Sequence, residues 1–200
     1  MRIAILVEGK TEQAFKPYLH AFLKKRLAGK MPYLDFVPCD GHLYTCDKLK
    51  RVVQNLLNDS KHPADAVIAL TDVYTGSTPP EFLTAADAKQ KMQQWVGAEE
   101  QFFPHVALHD FEAWLLPYWA KIQKITGSNR KPPGSDPEKV NHAKPPAYLL
   151  AEIFRTGEKT DTYVKTRDAG RILKDEDLTV AINACAELKA LVDTIIKLCS

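Results

Sequence analysis

Short apolar segments that alternate with longer amphipathic ones are the feature that most restricts how this chain can fold. The first, Arg2 to Val7, is a continuous run of mainly aliphatic residues, as expected of a strand buried on both faces. Residues 11–27 then carry apolar side chains at helical spacing. The alternation continues, with strands predicted at 33–38, 64–71 and 102–109, and helices predicted from near Thr45, at 84–96 and at 111–116.

Four strand–helix pairs in succession predict an α/β fold, in which a mostly parallel sheet carries helices on both faces. In this interpretation residues 1–118 form the α/β core, and residues 119–200 form a helical C-terminal extension that packs on it within one structural domain. Residues 126–146 are rich in Pro, Gly, Ser and Asn and are predicted to form a loop, whose length suggests a function or mobility. A last helix is predicted at 178–198.

The composition argues against several classes of protein. The four cysteines are scattered without a C-x-x-C pair, which indicates reduced thiols rather than disulfides or a structural zinc site. No apolar run approaches the roughly 20 residues that a membrane helix needs. No secretory signal pattern is seen at Met1, so we expect a cytoplasmic protein without a membrane partner.

Charge is unevenly distributed although the net charge is only +2. Residues 61–118 contain three Lys or Arg against eight Asp or Glu, whereas residues 119–174 contain twelve against six. A basic segment next to an acidic one suits a polyanion bound beside a metal ion. A solvated surface of mixed charge explains the same contrast equally well.

Acidic residues stand at the ends of three predicted strands. Glu8 follows the first strand, Asp72 follows the third, and Asp110 with Glu112 follows the fourth. The carboxyl ends of parallel strands meet at one edge of a sheet, where ligands bind in open α/β folds. Carboxylate oxygens are hard ligands for Mg²⁺ or Mn²⁺, so a metal site is predicted there. Glu12, one helical turn after Glu8, either faces this site or only favours the helix dipole.

Other nucleotide and hydrolase motifs fit poorly. The tripeptide Gly9-Lys10-Thr11 is like the end of a P-loop, but the position of the first P-loop glycine is Ala4, inside the strand. Thr11 is equally explained as a helix N-cap. There is no nucleophile elbow, and the segment 109–112 does not match H-E-x-x-H. ATP binding of the P-loop kind and Ser-His-Asp hydrolysis are therefore not expected.

Basic and hydroxyl side chains in the second half offer contacts to a phosphate. Tyr163 and Lys165, two residues apart, would face the same side of an extended segment, and Lys144 adds a further cation. Exposed lysines usually have no specific role, so each of these lysines, taken singly, is more simply explained as an ordinary surface residue. His109 either contacts substrate or is a buried, hydrogen-bonded histidine.

Three of these segments together resemble the small stand-alone Toprim-like family, namely residues 5–12, 70–74 and 109–115. Relatives of that family act as effector nucleases beside an ABC-type ATPase in the PARIS anti-phage system. The resemblance extends over most of the chain and includes Tyr163 and Lys165. It implies a Toprim-like α/β fold with a phosphoryl-transfer site that depends on Mg²⁺ or Mn²⁺. Glu8 would be the strand-one glutamate and Asp72 the first acid of Asp-x-Asp.

The chain departs from this pattern at Tyr74, which stands in place of the second aspartate. Glu112 or Asp110 would then have to supply the missing ligand. Glu8 and Glu12 match the two glutamates four residues apart in nucleases of the related overcoming-lysogenization type. From the residues and the resemblance together we expect metal ligands at Glu8, Asp72 and Glu112, further catalytic groups at Glu12 and Lys165, and substrate contacts at Lys10, His109, Lys144 and Tyr163.

The function expected from these features is Mg²⁺-dependent cleavage of RNA or DNA. An ABC-type ATPase partner and a homodimer are the expected protein assemblies. Two alternatives remain open on the sequence. One is a non-catalytic ATPase-binding or sensor subunit that keeps a degenerate metal site, and the other is a phosphohydrolase that acts on small molecules.

Overall fold

A computed structural model describes residues 1–27, 29, 31–39, 41–73, 81–140, 144–159 and 162–200. The strands are β1 (Arg2–Val7), β2 (Tyr33–Pro38), β3 (Ala66–Asp72) and β4 (Phe102–Ala107). The helices are α1 (Lys10–Arg26), α2 (Cys46–Leu57), α3 (Ala85–Val96), α4 (Trp119–Thr126), α5 (Pro146–Thr156), α6 (Lys165–Leu173), α7 (Leu178–Ala184) and α8 (Ala186–Leu198). Two 3₁₀ helices lie at Phe111–Tyr118 and Pro137–Lys139.

The described strands form one four-stranded sheet in the order β2-β1-β3-β4, and every neighbouring pair is parallel. The predicted α/β class is therefore confirmed, and the sheet is parallel throughout the described residues. The central strand β1 is almost completely buried from Ile3 to Val7. This explains its continuous apolar run, because a central parallel strand is covered on both faces.

The described residues form two hydrophobic cores, one on each face of the sheet. Alternate residues of β1, such as Ile3 and Ile5, join the larger core with α1, the first 3₁₀ helix and α5 to α8. Ala4 and Leu6 point to the other face, where α2 and α3 cover the sheet. The predicted helices on both faces are thus present, and the C-terminal helices contribute to the same core as β1.

The C-terminal helical segment is divided, whereas one helix was predicted over 178–198. Helix α7 ends and α8 begins at Cys185, whose backbone is extended. The buried side chain of Glu138 lies at this break and accepts hydrogen bonds from the backbone N–H groups of Ala186 and Glu187, both at 2.9 Å. A carboxylate there satisfies the first amides of α8 and complements its dipole. Glu138 thereby links the long loop to the break between α7 and α8.

Replacing Glu138 by alanine is expected to destabilise the protein by about 1–2 kcal/mol, because two helix-terminal amides lose their acceptor. Urea unfolding followed by circular dichroism measures the difference. Glu158→Ala, at an exposed position, is the matched control and should change the stability by less than about 0.5 kcal/mol. Equal stability of the two variants would show that Glu138 does not anchor the loop.

Across the part of the chain that the structure describes, no helix combines the length and the apolar character needed to cross a membrane.

Candidate active site

The register of the sheet places the predicted acids at one edge. Val7 pairs with Leu70, so Glu8 lies beside Thr71 at the carboxyl end of β3. Asp72 is the last residue of β3, rather than lying just beyond it, and pairs with Ala107 at the end of β4. The prediction extended β4 to residue 109, whereas the strand ends at this pair. The chain then turns directly into the 3₁₀ helix that carries Glu112.

Glu8 is held in place by its neighbours on β3. Its Oε1 accepts a hydrogen bond from the backbone N–H of Asp72 at 3.0 Å and another from the hydroxyl of Thr71. Burial raises the pKa of Glu8, and these two hydrogen bonds oppose that effect. The Glu8 carboxylate is therefore fixed against the end of β3 and stays close to Asp72.

Glu12 lies in the first turn of α1, which begins after Gly9 as N-cap and not after Thr11. Its Oε2 accepts a hydrogen bond from the backbone N–H of Gly9 at 3.1 Å. Glu12 therefore stabilises the helix start, as the dipole interpretation predicted. Burial raises its pKa, and the charges of Glu8 and Glu112 add to this effect. Its carboxylate thus also belongs to the same acidic group.

Asp110 and Glu112 are buried at the start of the 3₁₀ helix, at 5% and 0% exposed. Oδ2 of Asp110 accepts a hydrogen bond from the backbone N–H of Ala147, in the first turn of α5, at 3.0 Å. Within the described structure, Oδ1 of Asp110 and Oε2 of Glu112 are buried without a hydrogen-bond partner. Buried carboxylate oxygens without partners are energetically costly, so both positions favour an added cation or proton.

Lys165 and Tyr163 converge on Glu112. The Nζ atom of Lys165 lies 3.3 Å from Oε1 of Glu112, and the hydroxyl of Tyr163 donates to the same oxygen at 3.4 Å. Lys165 was predicted to lie on an extended segment, but it is the first residue of α6. Partial burial lowers the pKa of Lys165, but the carboxylates of Glu112, Asp72 and Asp110 raise it more, so its pKa is raised overall. The ammonium group therefore stays charged beside the acids.

The fully buried Asp168 fixes the backbone between Tyr163 and Lys165. Oδ2 of Asp168 accepts a hydrogen bond from the backbone N–H of Val164 at 2.8 Å. Arg167 and Arg171 form ion pairs with the same carboxylate, both at 2.8 Å. The backbone link at Val164 holds the start of α6 and so restrains the two neighbouring side chains that reach Glu112.

The carboxylates of this group are buried or half-buried and repel one another electrostatically. Burial raises the pKa of Asp72 well above its usual range, and the charges of Glu8, Asp110, Glu12 and Glu112 raise it further. Burial and Glu112 raise the pKa of Asp110 to about 7. Among the described residues, no three His, Cys, Asp or Glu side chains are already arranged to hold a metal ion. The donor chemistry nevertheless suits a hard divalent cation, which would offset this repulsion.

A cavity of about 490 Å³ is lined by three of these acids, Glu8, Asp72 and Asp110, and by Lys165. The other lining residues that the structure describes are His42, Leu43, Tyr44, Thr45, Thr71, Glu81, Phe82, Trp95, Pro145 and Ala147.

The predicted site residues are only partly brought together. Glu8, Glu12, Asp72, Glu112, Lys165 and Tyr163 share the acidic group, with Asp110 as a further member. Lys144 lies elsewhere, with Nζ 5.7 Å from the centroid of the Tyr148 ring, and lines a separate groove. His109 is only 4% exposed, so its ring does not face solvent. The side chain of Lys10 and the whole of Tyr74 lie outside the described residues.

Sequence reasoning missed three residues of the site. Thr71 binds Glu8, whose pKa is lowered by the charge of His42 and raised by that of Glu81. The hydroxyl directly before a strand-end acid was the signal for Thr71. His42 and Glu81 carry no comparable signal, because they lie in segments between elements and reach the cavity only through the fold.

The stability of the metal-free protein is expected to fall as pH rises from about 4 to about 7. The pKa of Asp110 is raised to about 7 in the fold, so in this window the unfolded chain ionises while the folded protein keeps the proton. Asp110 alone should account for roughly 2 kcal/mol between pH 5 and 8. Urea unfolding in EDTA at the two pH values measures the loss.

Asp110→Asn is the control for this pH dependence, since its amide oxygen keeps an acceptor for Ala147 and does not titrate. The stability of this variant should depend less on pH than that of the wild type. A wild-type stability that is constant or rises between pH 5 and 8 would contradict the assignment.

Comparison with solved structures finds the same fold at low sequence identity. The C-terminal region of the Burkholderia pseudomallei OLD protein superposes with a TM-score of 0.54 at 15% identity, covering 100% of this chain and 98% of that one. The C-terminal region of the Xanthomonas campestris pv. campestris OLD protein gives a TM-score of 0.53 at 16% identity, covering 99% and 93%. At these identities the likeness concerns the fold alone.

Comparison with curated proteins finds no match. A family model, by contrast, matches residues 7–196, which is almost the whole chain and includes every acid of the group described above. The protein therefore belongs to the family described as Domain of unknown function (DUF4276).

Proposed function

We propose that the protein is a metal-dependent Toprim-like nuclease that hydrolyses phosphodiester bonds of RNA or DNA. The observation that carries the proposal is the group of acids from three strand ends, which opens into a cavity beside a charged lysine. The fold shared with the OLD C-terminal regions supports it, since the chain resembles nucleases of the overcoming-lysogenization type.

Glu8, Asp72 and Glu112 would hold Mg²⁺ or Mn²⁺, with Asp110 as the acid that compensates for Tyr74. Two features support this fit. Oε2 of Glu112 and Oδ1 of Asp110 are buried without hydrogen-bond partners in the described structure, and burial together with the charges of the neighbouring acids raises the pKa of Asp72. A divalent ion bound there supplies an activated water molecule and positive charge for the scissile phosphate.

The protein side chains have separate tasks in this mechanism. Thr71 and the Asp72 amide fix the Glu8 carboxylate, so one acid keeps its orientation before substrate binds. Glu12, which is buried next to Glu8, orients the attacking water or accepts its proton. Lys165 is half-exposed and lines the cavity, so its ammonium group contacts a non-bridging phosphate oxygen.

A cleavage assay with labelled single-stranded and duplex RNA and DNA tests the proposal. Cleavage is expected with Mg²⁺ or Mn²⁺ and not with EDTA. p-Nitrophenyl phosphate, a monoester, should be hydrolysed far more slowly than the nucleic acids. Absence of cleavage with both metals on all four substrates would refute the nuclease, and faster hydrolysis of the monoester would favour a small-molecule phosphohydrolase.

One sequence feature favours a second candidate, a non-catalytic subunit with a degenerate site. Tyr74 takes the place of the second aspartate of the Toprim pattern. Calorimetric titration with Mg²⁺ separates the two candidates, because a degenerate site should bind the ion weakly or not at all. Micromolar to low-millimolar binding that is lost in Asp72→Asn would support the nuclease.

The biological setting that we propose is a prokaryotic anti-phage system in which the nuclease acts as effector beside an ATPase. This part rests on the Toprim-like resemblance to relatives that act with an ABC-type ATPase in PARIS. Co-expression with an ABC-type ATPase encoded next to this chain, followed by co-purification, tests it. Failure of the two proteins to associate with and without ATP would contradict the partnership.

A further inference from the structure

The cavity beside the acids is lined by two chemically different groups of side chains, which we call the acidic wall and the aromatic wall. The acidic wall contains Glu8, Asp72 and Asp110, and the aromatic wall consists of aromatic side chains from other elements. These are Tyr44, which precedes α2, Phe82, which precedes α3, and Trp95, which lies on α3. The proposed hydrolysis of a phosphate ester uses the acidic wall and leaves the aromatic one without a role.

Two of the aromatic side chains pack against each other, and the third lies beside a cation. The rings of Phe82 and Trp95 have centroids 6.0 Å apart and are tilted by 45°. Phe82 is 4% exposed and packs against the half-buried ring of Trp95. Tyr44 is also half-buried, and Nζ of the exposed Lys48 lies 4.0 Å from its ring centroid. Thus partly accessible rings face the cavity, and a cation lies beside one of them.

We infer that this aromatic wall binds an unpaired nucleobase, so that the enzyme acts on single-stranded or extruded nucleotides. The inference rests on the proposed nuclease function and names its substrate class. A volume of about 490 Å³ suits one small ligand and not a duplex. A nucleotide inserted base-first stacks on Trp95 and Tyr44 and presents its phosphate to the acids with their metal, while Lys48 contacts a flanking phosphate of the strand.

Stacking is the interaction best suited to this wall. Every base has a π-face, so aromatic rings bind unpaired bases without a requirement for one sequence. In a duplex the same faces are covered by neighbouring base pairs, and a base must leave the stack to reach such a wall. We therefore expect the enzyme to prefer unpaired over paired nucleotides and to show little preference among the bases.

Cleavage of matched substrates tests the inference. We expect the wild type to cut a 20-nucleotide single strand at least tenfold faster than the same sequence in a full duplex, and to cut a duplex with one bulged nucleotide at the bulge. RNA and DNA versions of each substrate report which sugar is preferred. A full duplex that is cut as fast as the single strand would overturn the inference.

Variants of the aromatic wall provide the second arm. Trp95→Ala should lower kcat/KM for the single strand about tenfold. Tyr33→Ala removes an exposed ring at the start of β2, at the opposite edge of the sheet, and should leave kcat/KM unchanged. Because loss of Trp95 also removes a packing contact, Tyr44→Ala serves as a second variant and thermal unfolding checks that both are folded. Wild-type kcat/KM in the two folded variants would overturn the inference.

Binding of adenosine and uridine monophosphate in the presence of Mg²⁺ separates this inference from the nuclease proposal. These probes are not phosphodiesters, so their binding is independent of cleavage. Both should bind by calorimetry, with affinity kept in Trp95→Phe and reduced about tenfold in Trp95→Ala. This outcome supports the base-binding wall even if no substrate is cut. Absence of binding, or equal affinity in Trp95→Ala, overturns it even if cleavage occurs.

Discussion

Glu8→Gln is expected to lower the rate of phosphodiester cleavage roughly a thousandfold while the protein stays folded. Glutamine keeps a side-chain oxygen that can accept the hydrogen bonds from Thr71 and the Asp72 amide. It removes the negative charge that a metal ion requires. Because burial raises the pKa of Glu8, loss of this charge should leave the metal-free protein as stable as the wild type or slightly more stable at pH 8.

Three measurements check this expectation, namely cleavage of labelled single strands in Mg²⁺, Mg²⁺ titration by calorimetry, and urea unfolding in EDTA. Glu100→Gln is the matched control, since Glu100 is exposed and precedes β4 at the opposite edge of the sheet. It should behave as wild type in all three. Full activity of Glu8→Gln would exclude the proposed mechanism.

Lys165→Met is expected to have the second large effect, on both stability and activity. Glu112 is fully buried, and Lys165 is its ion-pair partner at 3.3 Å. Removing the ammonium group leaves a buried carboxylate whose negative charge is no longer compensated. Since Lys165 is itself 53% exposed, the loss of stability should be about 1–2 kcal/mol, less than for a wholly buried pair. Cleavage should fall by roughly two to three orders of magnitude.

The double variant Glu112→Gln with Lys165→Met distinguishes the two effects. Removing both charges should restore most of the stability, because position 112 no longer carries a buried charge without its partner, but should not restore cleavage. Lys189→Met is the control, since its partner Asp193 lies one turn away on an exposed part of α8 and the pair contributes little. A double variant as unstable as Lys165→Met would show that the pair does not act electrostatically.

Most of the framework of the site could be predicted from local patterns. Strand β1 and its following helix are visible as a change from a continuous apolar run to helical spacing, and the structure confirms both. The placement of Glu8 and Asp72 at one edge follows from the rule that parallel strands end together, and the backbone N–H of Asp72 indeed donates a hydrogen bond to the Glu8 carboxylate. Local patterning was sufficient because strand and helix periodicity belong to neighbouring residues.

Patterns of this kind were insufficient where contacts are distant in sequence. The break at Cys185 depends on Glu138, which comes from a loop and lies 48 residues before Ala186, the first residue of α8. No periodicity between residues 178 and 198 signals that a carboxylate will take the first amides of α8. Similarly, the aromatic wall combines Tyr44, which precedes α2, Phe82, which precedes α3, and Trp95, which lies on α3. Each of these residues, taken singly, resembles an ordinary core residue.

The sequence by itself determined the α/β order, the parallel sheet and the acids at the strand ends, because each of these depends on side-chain spacing along a single element or on chain direction. Only the tertiary structure decided that Tyr163, 51 residues beyond Glu112, would reach the same carboxylate as Lys165, and that acids and aromatic rings would line one cavity. Those outcomes depend on how the C-terminal helices pack on the sheet. Packing is set by the fit of whole surfaces, which spacing within one segment does not encode.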